Sequence, residues 1–225
     1  MQEVTQLYKL VSNLLLVKEN EWGLYAFSKE PLHKKITKEE KKEMIDMAIN
    51  CGIEYAKRIK MQYKSARVKE LAEVFQIKVF QQDSSMIGKR IVFALYTPPN
   101  RIEIMNEPIQ KACDILEKDS FLVEHFTQEV IINTILGHEI FHFLEEQFEQ
   151  EIYTRTKKIL LWSCLGIKNY STIRTLSEIG AMAFTKELNQ LTFSPYILDI
   201  ILYYSYDSCS TKKIYHDIMK ISARR

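Results

Sequence analysis

The stretch NTILGHEIFHFLEEQ, residues 133–147, sets His138 and His142 four positions apart inside an apolar run, with Glu139 directly after the first histidine. On a helix, at about 100° and 1.5 Å per residue, the two histidines fall about 40° apart around the axis and about 6 Å apart along it, so both imidazoles can converge on one point. The same face carries Ile131, Thr134 and Ile135 toward the N-terminus. The rings therefore rise from a stripe bound for the core, where they need partners. A zinc ion supplies one partner to both. Glu139 lies about 60° off the face of His142, turned too far to join the same ion easily but able to reach a water on its open side, which is where a general base stands. Any fold of this chain has to bring a further ligand to this helix and leave a cleft beside it.

A catalytic zinc takes three protein ligands and keeps one position open. The histidine helix does not supply the third. A metzincin would need Gly at 145 and His at 148, and this chain has Glu145 and Phe148. Glu145 and Glu149 stay on the histidine face but too far along it to share the ion; they either hold a histidine from behind or form a solvated helix end, the simpler reading. The best source of the third ligand is TLSEIGAMAFTKEL, residues 175–188, where Glu178 opens a helical stretch and Gly180 and Ala181 follow. Small residues beside the carboxylate let that helix come close to the histidine helix. His216 is next in line.

The rest of the 225-residue chain reads as helices, then a small sheet, then helices, an α+β class. Residues 3–17 carry Val4, Leu7, Leu10, Val11 and Leu14 at helical spacing, and Thr37 opens a long amphipathic helix to about residue 63. RVKELAEVF is a short helix. QIKVFQ, RIVFALY and RIEIMN have the period-two texture of strands, which predicts a three-stranded sheet. RIEIMN, residues 101–106, follows a Pro-Pro turn and reads as a sheet edge to which a peptide could add. Pro108 begins a helix through Leu116, and helices are expected over 128–149, 152–165, 173–190, 195–206 and 211–222. One domain over 1–225 is expected, with an N-terminal helical part to 64 and a catalytic core from 65.

Composition narrows the function. Apolar residues at 46% and charged residues at 27%, with six Gly and five Pro, describe an ordered globular chain. A net charge of +2 without a basic cluster gives no field for nucleic acid. Cys51, Cys113, Cys164 and Cys209 form no Cys-x-x-Cys pair, and read as buried free thiols of a reducing compartment. The N-terminus lacks signal-peptide features and no apolar segment reaches membrane-spanning length, so no membrane partner and a cytoplasmic location are expected.

HEIFH followed by Glu178, Ala181, Phe184 and Leu188 in the spacing ExxAxxFxxxL resembles the ImmA/IrrE-type metallopeptidases, a cytosolic group with a zincin-like core. KELAEVFQIKVF and the strand RIEIMN upstream fit the same pattern, and the resemblance covers roughly residues 45–195. It implies one zinc per chain held by His138, His142 and Glu178, with Glu139 as the base that cuts a peptide bond in a protein substrate. It also implies a phage or mobile-element setting with a repressor as substrate. The 35 residues between His142 and Glu178 make a longer connection than the resemblance leads one to expect, and Thr185 and NQLTFSP replace its usual later residues. A catalytically silent sensor or interaction protein of the same fold is the alternative function. An oxyanion-stabilising group would come from Tyr203, Tyr204, Tyr206, His216 or Tyr170. His33 and His125 read as structural or exposed.

Overall fold

The fold is taken from a computed structural model, which describes residues 2–64, 67–83, 86, 87 and 90–223. Helices α1 (Gln2–Leu14), α2 (Glu19–Ser28), α3 (Lys38–Tyr63) and α4 (Val68–Val74) come first. Thr37 caps α3: its side chain accepts from the Glu40 amide, while the Glu40 carboxylate accepts from the Thr37 amide at 2.8 Å. Strands β1 (Lys78–Gln82), β2 (Met86–Ile87), β3 (Arg90–Ile91), β4 (Ala94–Thr97) and β5 (Arg101–Met105) follow. Then come α5 (Asn106–Leu116), α6 (Ser120–His125), α7 (Gln128–Gln147) and the single turn α8 (Tyr153–Thr156). A hairpin of β6 (Lys158–Cys164) and β7 (Ile167–Thr172) leads to α9 (Arg174–Asn189), α10 (Tyr196–Tyr204) and α11 (Ser208–Ser222). The α+β class is as expected: mostly helix around a small mixed sheet.

That sheet has the order β1-β5-β4, with β1 parallel and β4 antiparallel to β5. The expectation that Arg101–Asn106 forms an edge is therefore overturned, since β5 is flanked on both sides. Its buried Ile102 and Ile104 alternate with a half-buried Glu103, and that alternation is the same for a central strand as for an edge. The prolines lie in the turn before β5 and carry no information about its neighbours. RIVFALY breaks into β3 and β4, so the edge on the α7 side of the sheet is β4, with Tyr96 meeting Phe143 edge-on at 6.4 Å.

The helix expected over 152–165 is the second correction. Only α8 is helical there, and residues 158–172 pair as a hairpin closed by Leu165 and Gly166, both at positive φ (48° and 82°). Those two residues form the kind of two-residue loop that matches strand twist, with Gly166 meeting the conformational demand at no cost. Leu160, Trp162, Leu165, Ile167 and Tyr170 stay exposed on this arm; a short apolar run does not reveal by periodicity alone which element it enters.

The main buried cluster draws on the whole described chain, from Leu7 and Trp22 to Ile218, so the N-terminal helices share a core with α7 and α9. Helices α3 and α9 come together at two glycines: a Cβ on Gly52 would stand 2.2 Å from the Gly180 carbonyl oxygen. All four cysteines are free; Cys51 is buried as expected, but Cys164 and Cys209 are exposed. No helix is long and apolar enough to cross a membrane among the described residues.

Candidate metal centre

Helix α7 starts at Thr127, whose hydroxyl accepts from the Val130 amide at 3.2 Å, and buries Ile131, Ile135, Ile140 and Phe141. That fixes its rotation, and with it the direction of His138 and His142. Helix α9 crosses α7 where Gly180 leaves room: a Cβ there would lie 2.8 Å from Phe141 Cζ and 2.9 Å from Thr154 Cγ2. Ala181, the next residue, is fully buried. Glu178 sits one turn earlier and is delivered to the histidines. The room at Gly180 is what lets α9 come this close to Phe141 of α7.

His138 Nε2 and His142 Nε2 are 3.1 Å apart. Glu178 Oε2 lies 3.2 Å from His138 Nε2, and its Oε1 lies 3.9 Å from His142 Nε2. Tetrahedral ligands bound at about 2.0–2.1 Å stand roughly 3.3 Å from one another; the 3.1 and 3.2 Å separations match that spacing, while the 3.9 Å one is longer and runs to the other carboxylate oxygen. Ligand atoms of the three residues all lie within 4.8 Å of one another. The donor set, two neutral imidazoles and a carboxylate with a cavity in front, suits a zinc site with an open position.

Glu145, read from the sequence as a solvated helix end, is instead fully buried and holds His142 from behind. His142 Nδ1 donates to Glu145 Oε2 at 3.0 Å, and Ser177 and Thr154 donate their hydroxyls to the same carboxylate. Burial alone would raise the Glu145 carboxyl; the bonds from His142, Ser177 and Thr154 outweigh it and hold it below the usual range. An ionised Glu145 fixes the proton of His142 on Nδ1 and leaves the Nε2 lone pair facing Glu178. Glu149 lies beyond the end of α7 and is exposed.

Burial pushes His138 down and Glu178 up, and their mutual hydrogen bond and ion pair reverse both shifts. His138 is held above the ordinary imidazole range and Glu178 below the carboxylate range. Glu139 lines the cavity beside them and has no hydrogen-bond or ion-pair partner among the described residues.

The cavity, about 430 Å³, is also lined by Trp22, Tyr25, Phe93, Ala94, Tyr196, Asp199 and Tyr203. Of the five proposed oxyanion groups, Tyr203 alone is among its lining residues. Tyr204 is buried in the core, Tyr206 stacks with Lys111, Tyr170 is exposed on the hairpin, and His216 is exposed against Tyr215. His216 stands outside the ligand group as well. His33 and His125 bond to the carbonyls of Glu30 and Phe121, in keeping with structural roles.

Sequence reasoning passed over Tyr196 and Asp199. Tyr196 is 9% exposed, stacks on Trp22 at 5.3 Å, and its hydroxyl has no partner among the described residues. The one available signal was Asp199 itself, a lone charge in YILDIILYY. Compared with protein-family models, with curated proteins and with solved structures, the chain finds no match.

Proposed function

We propose that this chain is a zinc-dependent peptidase with a zincin-like core that hydrolyses a peptide bond in a protein substrate. The observation that carries the reading is the convergence of His138, His142 and Glu178 on one point, with a Glu139 on the cavity side that has no partner among the described residues. A site that only bound metal would have no need of a free carboxylate there. The resemblance of HEIFH and the Glu178 motif to ImmA/IrrE-type metallopeptidases supports a cytoplasmic regulator or repressor as the substrate, and a phage or mobile-element setting.

Bound to these three residues, zinc would polarise the scissile carbonyl and make an attacking water acidic enough to lose its proton near neutral pH. Glu139 takes that proton and passes it to the leaving amine. Tyr196 keeps its own proton, because burial first and then Glu178, Asp199 and Glu19 push its hydroxyl well above the usual phenol range. It is therefore a donor without a partner among the described residues, on a residue that lines the cavity, and we propose that it serves the developing oxyanion. Ala94 on β4 lines the same cavity, so an extended peptide bonded along this edge strand would pass the metal centre.

The test is a mass-spectrometric search for cleavage of end-blocked peptide mixtures by the zinc-loaded protein. Glu139→Gln should retain zinc and lose hydrolysis, and Tyr196→Phe should retain zinc and lower kcat by about 10²-fold or more. Zinc-loaded wild-type protein that cuts nothing while still binding a partner would establish the silent binding protein instead.

A further inference from the structure

The cavity carries an acid that the hydrolytic steps do not use. Asp199 is the one charged residue of α10, whose other positions are aliphatic or phenolic. The helix dipole favours an acid in a first turn, and on a solvent-facing surface nothing more would follow. This one lines the cavity together with His138, Glu139 and Glu178, and has no hydrogen bond or ion pair among the described residues. No lysine or arginine among the described residues lines the cavity either. Burial pushes the Asp199 carboxyl up to about 7, with Glu178 and Glu139 adding to the rise and His138 opposing it. A half-buried carboxylate left in this state costs the fold stability unless a ligand answers it.

Its surroundings indicate which ligand. Trp22, Tyr25, Tyr196 and Tyr203 give aromatic surface, and Leu198 and Ile200 give aliphatic surface, around one negative charge. Aromatic faces attract cations, and the long stems of lysine and arginine bury well against apolar walls while their heads seek a carboxylate. With a dication on the three ligands, Glu178 and Glu139 balance its charge and Asp199 remains unanswered. Resting on the peptidase reading for the identity of the ligand, we propose that Asp199 selects substrates by pairing with a lysine or arginine side chain next to the bond that is cut.

Two measurements on the zinc-loaded full chain test this. In peptides with acetylated and amidated ends, cleavage should concentrate beside Lys or Arg. The kcat/KM ratio for a lysine peptide over its norleucine counterpart should fall on the order of tenfold to a hundredfold in Asp199→Asn, and Asp199→Lys should turn the preference toward acidic residues. An unchanged ratio overturns the assignment, as does cleavage confined to peptides with a free terminal amine. The second measurement needs no hydrolysis: benzamidine should bind wild-type protein about tenfold more tightly than benzamide, and Asp199→Asn should erase the difference. Equal binding of the two probes overturns the cation site whether or not any peptide is cut. Asp199-dependent benzamidine binding by a protein that cuts nothing would support the cation site and defeat the peptidase reading alone.

Discussion

Glu145 accepts the Nδ1 proton of His142 at 3.0 Å from a fully buried position on the same helix, three residues on. The contact decides which nitrogen of His142 faces the other ligands. It also makes a residue outside the proposed ligand set responsible for the site's geometry.

Glu145→Ala should therefore lower zinc affinity by about 10–100-fold, the usual effect of losing a carboxylate behind a ligating histidine. It leaves His142, Ser177 and Thr154 without their shared acceptor, which should cost roughly 1–3 kcal/mol of stability. Chelator competition and thermal melting measure the two effects. Wild-type values in both would return Glu145 to the role of an ordinary helix-end acid.

Glu178→Ala removes a ligand itself, so its effect on zinc retention should exceed that of Glu145→Ala. Metal analysis after dialysis should find less than one zinc per chain, with circular dichroism unchanged. The two variants rank the roles: equal losses would mean that Glu178 acts only through His138, and that the third ligand lies elsewhere.

How much of this was legible before the structure depends on the kind of signal. The histidine clamp, Glu178 and the space made by Gly180 and Ala181 are local patterns on helices, and helical spacing converts directly into direction. The hairpin of residues 158–172 was misread because the length and composition of ILLWSCL suit a helix as well as a strand, and the turn that decides between them is Leu-Gly rather than a familiar Asn-Gly pair. The central place of β5 was hidden because strand order is a long-range property. Asp199 and Tyr196 were hidden for the same reason. Nothing near them in sequence says that α10 borders the cavity occupied by residues of α7 and α9.

The unanswered charge of Asp199 should show in pH dependence. Its carboxyl moves from 3.8 to about 7 on folding, so folding favours the protonated form, and stability is lost as pH rises from about 4 through about 7. The titratable groups that line the cavity with it are His138 and Glu139 from α7, Glu178 from α9, Tyr196 and Tyr203 from α10, and Tyr25 from α2. His138, held up by Glu178, loses its own contribution at higher pH, so the comparison has to be between variants. In chelator-treated protein, the melting temperature of Asp199→Asn relative to wild type should rise steadily from about pH 4 and gain several degrees by pH 8. A gap that is constant with pH would show that Asp199 keeps an ordinary carboxylate pKa.

The last prediction concerns the edge strand. Met105 donates its amide to the Phe93 carbonyl at 2.9 Å, and the register continues as Leu95 opposite Glu103 and Thr97 opposite Arg101. Bonded pairs alternate along an antiparallel ladder, so Leu95 and Thr97 use their backbone groups on β5 while Ala94 and Tyr96 turn theirs to the open side. Ala94 is the one of these two that lines the cavity. A proline there removes one outward N–H and no ladder bond, a position at which edge strands tolerate it. Ala94→Pro should therefore fold, retain zinc, and raise KM about tenfold on any peptide that the wild type cuts, the loss expected for one main-chain hydrogen bond to substrate. Glu103→Pro provides the contrast: in the central strand it breaks pairing within the sheet, and should lower the melting temperature whatever happens to substrate. Unaltered kinetics in a folded, zinc-loaded Ala94→Pro protein would place the peptide away from β4 and leave the aromatic side of the cavity as its route to the metal centre.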